Sequence, residues 1–227
     1  MTISKKTTDT EVQLWRDADS RQKSFVVQVL HWFHFRPNRL KASWKQEEVL
    51  TWELLRAMDV LPHKTFLLPL LERIAEVAPA AGNAVATLLA CDEIVITAYP
   101  TLGLKGNKIN CKSDIGIGTP SSPLIWIEAK TAKFRSVDLH AQLRQQQAAM
   151  QSMLPDETPL LLTLLPESRA VPGFPNLAWT DVERLLEDCA ERLLSSLDRD
   201  SARGYVVIAR ELQQRIKSHP NRASGWV

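Results

Sequence analysis

Leu124-Ile125-Trp126-Ile127-Glu128-Ala129-Lys130 is an apolar run that ends on two charges, and it restricts the possible fold more than any other stretch. Leu, Ile and Trp in succession read as an apolar strand. A glutamate and a lysine carried on its end must be paired, because an unpaired buried charge is costly. Strand alternation points Glu128 and Lys130 to the same face. Just upstream lies Ser113-Asp114-Ile115-Gly116-Ile117, separated from the run by the turn Gly118-Thr119-Pro120-Ser121-Ser122-Pro123. The two segments read as a hairpin. In register, Asp114 lies near Glu128 and Lys130.

The rest of the chain supplies the layers around this hairpin. Residues 1–10 are polar and read as disordered. Val12 to Phe35 has Trp15, Phe25, Val26, Val29, Leu30 and Phe33 at helical spacing. Arg36-Pro37-Asn38 ends that segment. A second helix starts near Ser43, with Gln46 three residues on as a capping box, and ends before Pro62. A third covers about His63–Val77, and a short one ends near Ala90. The period then changes. Glu93–Tyr99 is rich in β-branched residues and reads as a strand, and Pro100–Asn107 reads as a loop. Strands follow at about Lys108–Ile117 and Leu124–Thr131. A Gln-rich helix over about Val137–Met153 comes next, then a buried strand over Pro159–Leu165. Arg169–Pro175 reads as a loop. Thr180 reads as the N-cap of a helix with Glu183 at its third position, and a last amphipathic helix spans about Ala202–Lys217. This order implies an α/β fold, a mixed sheet of about four strands flanked by helices. The expected domains are a helical N-terminal arm over 1–42, a main domain over 43–218 and a tail over 219–227.

Two carboxylates and a lysine at neighbouring strand positions suit a divalent metal, Mg²⁺ or Mn²⁺. Such an ion polarises a phosphate and lowers the pKa of a bound water, and the lysine can position or deprotonate that water. The plainer alternative is a solvated ion pair at a strand end, with Asp114 at a turn. That alternative does not explain why the charges follow Leu-Ile-Trp-Ile.

The Asp-x(n)-Glu-x-Lys pattern, in this setting, resembles the PD-(D/E)xK nuclease superfamily over roughly Ser43 to Lys217. The resemblance implies a restriction-endonuclease-like fold: a helix, three antiparallel strands, a helix and a fourth strand. It implies a Mg²⁺-dependent nuclease, most simply a deoxyribonuclease, with Asp114 and Glu128 as metal ligands and Lys130 assisting the attacking water. Members often add a glutamate from the first core helix. Gln46-Glu47-Glu48-Val49-Leu50-Thr51-Trp52 resembles that segment, and Glu47 shares a stripe with Leu50, Leu54 and Met58. Glu48 faces with Trp52 and Leu55, and Glu53 lies off the main stripe. A solvated acidic first turn is the competing reading. His140-Ala141-Gln142-Leu143-Arg144-Gln145-Gln146 resembles the Gln-x-x-x-Tyr motif of the exonuclease-like branch. There Gln142 matches the glutamine near the metal, and Gln146 stands where tyrosine is usual. Stand-alone domains of this kind commonly serve bacterial or phage defence, repair or mobile elements.

The formal charge of the chain is only +2, so phosphate contacts need a local patch. Lys105, Lys108 and Lys112 lead into Asp114, while Lys133 and Arg135 follow Lys130 and Arg144 lies on the next helix. Together they would line a groove for a nucleic-acid backbone. No helix-turn-helix, zinc-finger, RNA-binding or phosphate-loop motif occurs, which excludes those ways of reading bases or binding ATP. Most of the seven tryptophans read as core. His31-Trp32-Phe33-His34-Phe35 reads as a partner or dimer surface, and paired sites for double-strand cleavage would suit a homodimer. A defence-system partner protein is the other expectation. Cys91, Cys111 and Cys189 are scattered, which argues for free thiols. The N-terminus lacks a signal-peptide run, so a cytoplasmic protein is expected. The runner-up function is a non-catalytic member of the same fold that binds nucleic acid or a partner protein.

Overall fold

The computed structural model describes residues 46–98, 100–102, 111–131, 136–156, 158–166, 170–195 and 199–219. Of these, the side chains of 46–49, 101, 102, 111, 136, 153 and 199–201 lie outside the description. Helix α1 spans Gln46–Val60, α2 Leu67–Val77 and α3 Gly82–Leu89, with a 3-10 turn at Pro79–Ala81 before α3. Strands β1 (Val95–Ala98), β2 (Thr101–Leu102), β3 (Cys111–Lys112), β4 (Ile115–Gly118) and β5 (Pro123–Ala129) follow. Then come α4 (Ser136–Met153), β6 (Leu160–Leu165), β7 (Asn176–Ala178), α5 (Trp179–Leu194) and α6 (Arg199–Lys217).

The protein is α/β with a mixed five-stranded sheet in the order β1-β4-β5-β6-β7. β4 pairs antiparallel with both β1 and β5, whereas β6 pairs parallel with both β5 and β7. The β5–α4–β6 crossover joins two parallel neighbours through a helix, as a parallel pair requires. β2 and β3 form a separate two-stranded ribbon.

Alternation along the strands divides the interior into two cores. Ile115, Ile117, Ile125, Ile127, Leu162 and Leu164 face α1, α2, α5 and α6 and form the larger cluster. Trp126, Leu161 and Leu165 face the other way and pack with Leu139, Leu143 and Met150 of α4. The sheet is therefore buried on both faces, which accounts for leucines at every position of β6 but Thr163, whose hydroxyl donates to Pro175 O at 3.2 Å or lies 3.0 Å from Asn176 Oδ1. α5 lies along α6, and α1 packs on α6 and β1. Arg73 of α2 bonds Asp181 of α5 through Nε at 3.2 Å. Among the described residues no helix is long and apolar enough to cross a membrane.

Several expectations need correction. The strand expected over Lys108–Ile117 is two strands, β3 and β4, broken at Ser113-Asp114. The third helix begins at Leu67 rather than His63, because Thr65 folds back on Pro62 through both its amide and its hydroxyl, at 2.8 Å each. The sheet has a fifth strand, β7, directly after the expected loop. Its three residues are too few for a period-2 signal. Helix α5 begins at Trp179, one residue before the expected cap Thr180. Its third position is Asp181, which accepts a hydrogen bond from the Ala178 amide at 3.0 Å, so Glu183 does not serve the cap. The expected arm and tail lie outside the described residues apart from His219.

Candidate active site at the end of β5

The site starts from the break between β3 and β4. Ile115 pairs with Ile127, and Gly116 with Trp126. One step further in this register, Asp114 lies across from Glu128. Two like charges directly opposite each other destabilise a sheet, and here the chain leaves the regular ladder. The Asp114 amide donates to Ile127 O at 3.2 Å, while the Ser113 hydroxyl donates to the same oxygen at 2.8 Å. The Asp114 carboxylate then accepts the Ala129 amide through Oδ2 at 2.8 Å. Side chains replace backbone partners at this point, as Ser and Asp do where secondary structure ends. The sequence places the break, because these two residues carry the groups that replace the ladder.

Glu128 and Lys130 share one face, and the Lys130 ammonium lies 2.8 Å from Glu128 Oε1 and 4.0 Å from Asp114 Oδ2. Lys130 Nζ also donates to Ala129 O at 3.0 Å. Glu128 is 3 % exposed. At that depth a carboxylate needs strong donors. Gln142 Nε2 of α4 bonds Oε1 at 2.8 Å, and Gln146 Nε2 bonds Oε2 at 3.1 Å. Gln146 Nε2 also donates to the Lys112 carbonyl. The backbone of Lys130 is fixed as well: its amide donates to Leu164 O at 2.9 Å, and its carbonyl accepts the Trp179 indole at 3.0 Å.

Asp114, Glu128, Lys130 and Gln142, all expected from the sequence, thus converge on one point at the end of β5. Glu47 opens α1, whose buried stripe Leu50, Leu54 and Met58 belongs to the larger core; the Glu47 and Glu48 side chains lie outside the described residues. Glu53 instead pairs with Arg56 at 3.5 Å on a partly exposed face. Lys112 and Arg144 are exposed, at the end of β3 and on α4 respectively. Lys105, Lys108, Lys133, Arg135 and the aromatic stretch His31–Phe35 lie outside the described residues.

Two contributors were not among the expected site residues. Gln146 falls on the buried stripe of α4 with Leu139, Leu143 and Met150, and a lone amide on such a stripe was the available signal. Trp179 is fully buried and reaches across the sheet end to Lys130. Of the described tryptophans, Trp52, Trp126 and Trp179 are all core, as expected.

Asp114 and Glu128 offer oxygen ligands only, a donor set suited to a hard cation. Mg²⁺ commonly takes one or two protein carboxylates and completes its shell with water and phosphate oxygens. Among the described residues, no group of three His, Cys, Asp or Glu is placed to hold a metal. The chain matches no protein-family model, no curated protein and no solved structure.

Proposed function

We propose that this protein is a metal-dependent nuclease of the restriction-endonuclease-like type, hydrolysing phosphodiester bonds, most simply in DNA. The observation that carries the reading is the convergence of Asp114, Glu128 and Lys130 at the end of a buried hairpin. A costly charged cluster in that position calls for a role beyond packing. The donor set fits Mg²⁺ or Mn²⁺, with Asp114 and Glu128 as the residues that would hold it. Bound there, the ion would polarise the scissile phosphate and supply a water of lowered pKa.

The chain's own residues supply orientation and charge. Glu128 is held by Lys130, Gln142 and Gln146, so its carboxylate is preorganised. Lys130, whose backbone is fixed at both its amide and its carbonyl, presents an ammonium that can orient the attacking water and offset charge growing on the phosphate. The exposed Lys112 and Arg144 suit contacts to the phosphate backbone.

A second reading is a non-catalytic protein of this fold that binds nucleic acid or a partner. The Glu128 carboxylate accepts hydrogen bonds at both oxygens from Lys130, Gln142 and Gln146, so it is satisfied without an ion, and this favours the second reading. Metal-dependent melting separates the two. Mn²⁺ or Mg²⁺ should raise the melting temperature of the wild type, because a ligand that binds only the folded state stabilises it. Asp114→Asn should abolish the rise. A wild type whose melting ignores both ions would favour the second reading.

A further inference from the structure

We infer that Gln146 is a positioning residue that ties the Glu128 carboxylate to the strand delivering Asp114; the inference rests on the metal site proposed above. Helix α4 presents Leu139, Leu143, Gln146 and Met150 to the sheet, and Gln146 is only 6 % exposed among these apolar neighbours. A buried amide on such a stripe costs stability unless it is bonded. Its NH₂ carries two donors, and they go to Glu128 Oε2 and to the carbonyl of Lys112. Lys112 ends β3, two residues before Asp114. One side chain from the helix therefore joins both segments that carry the carboxylates.

The contact also sets how the Glu128 carboxylate is turned. The described donors to Oε1 are Lys130 and Gln142, and the described donor to Oε2 is Gln146. Contacts on a single oxygen leave the terminal torsion of a glutamate soft, because that sp³–sp² rotation is broad. A donor on the second oxygen fixes it. Gln146 thus orients the carboxylate plane without belonging to the ligand set, as outer partners of metal ligands do.

The test is Mn²⁺ binding by the full chain, measured calorimetrically without nucleic acid. The proteins are the wild type, Asp114→Asn, Gln146→Met, Gln146→Asn and Gln145→Met, the last on the exposed neighbour. Gln146→Met should raise the Mn²⁺ dissociation constant about 10- to 100-fold, the range for outer partners of metal ligands. Gln146→Asn, one methylene short of bridging both partners, should weaken binding in the same direction and serves if the methionine variant does not fold. Gln145→Met should bind as the wild type does. A purely structural Gln146 would lower the melting temperature of the metal-free protein and leave the dissociation constant of the folded protein unchanged, which would overturn the inference alone. No binding by the wild type would overturn the proposed site together with it.

Discussion

Asp114 Oδ2 accepts a hydrogen bond from the Ala129 backbone amide at 2.8 Å, so the carboxylate at the β3–β4 break is fixed to the residue between Glu128 and Lys130 at the end of β5. The contact makes the spacing of the whole cluster a property of the β4–β5 register. Asp114→Asn keeps an oxygen acceptor for that amide and loses the charge. We expect its melting temperature without metal to fall by no more than about 2–4 °C, which corresponds to about 1 kcal/mol in a chain of this size. Asp114→Ala removes the acceptor as well and should cost about 1–3 kcal/mol, the cost of leaving a buried donor unmet. Urea denaturation of the two variants checks the difference.

Removing the buried carboxylate should cost more than removing either amide. Glu128→Ala would take one hydrogen-bond acceptor at once from the Lys130 ammonium and from the amides of Gln142 and Gln146. Loss of one partner from a buried ion pair costs about 3–5 kcal/mol, and the partial exposure of Lys130 places this case near about 3 kcal/mol. Gln142→Ala, on the exposed face of α4, should cost about 1 kcal/mol or less. Equilibrium unfolding in urea reads both, and equal losses would contradict the burial argument.

Trp179→Phe deletes one hydrogen-bond donor and keeps most of the ring. The Lys130 carbonyl then loses its indole partner. The stability cost should be about 1 kcal/mol. We expect a larger proportional fall in cleavage than in folded population, because the loosened backbone carries the lysine of the site. Activity measured against the fraction folded by circular dichroism tests this, and a fall in activity matched by unfolding alone would refute it.

Burial lowers the pKa of His219 below its ordinary 6.5. The folded state therefore favours neutral imidazole, while the unfolded chain takes up a proton near pH 6.5. The resulting stability is fully present above about pH 6.5 and is lost as pH falls from there toward the folded-state value. The urea midpoint of the wild type should drop between pH 7.5 and 5.5, and His219→Phe should show a smaller drop over the same interval. Equal drops would show that other groups set the dependence.

The sequence was legible where burial and alternation agree. Leu124–Ile127 is apolar without interruption and Leu160–Leu165 is apolar but for Thr163, because both strands are covered on two faces, and that same context marked Glu128 and Lys130 as paired charges. The β3–β4 break was hidden because Ser113 and Asp114 replace the ladder with side-chain bonds, and no glycine or proline marks the point. β7 was hidden by its length. The role of Gln146 was hidden among Gln142, Gln145 and Gln151, since a run of glutamines reads as a solvated face, and only the phase of the helix separates the buried amide from the exposed ones.

The central claim is that Asp114, Glu128 and Lys130 support metal-dependent hydrolysis of phosphodiester bonds. It is tested most directly by incubating labelled linear, circular and single-stranded DNA and RNA with the wild type and with Lys130→Ala, in Mg²⁺, Mn²⁺ or EDTA. The expected result is cleavage by the wild type that needs the ion and is lost in Lys130→Ala, with DNA preferred. Cleavage that survives the lysine substitution, or no cleavage of any substrate in either ion, would contradict it.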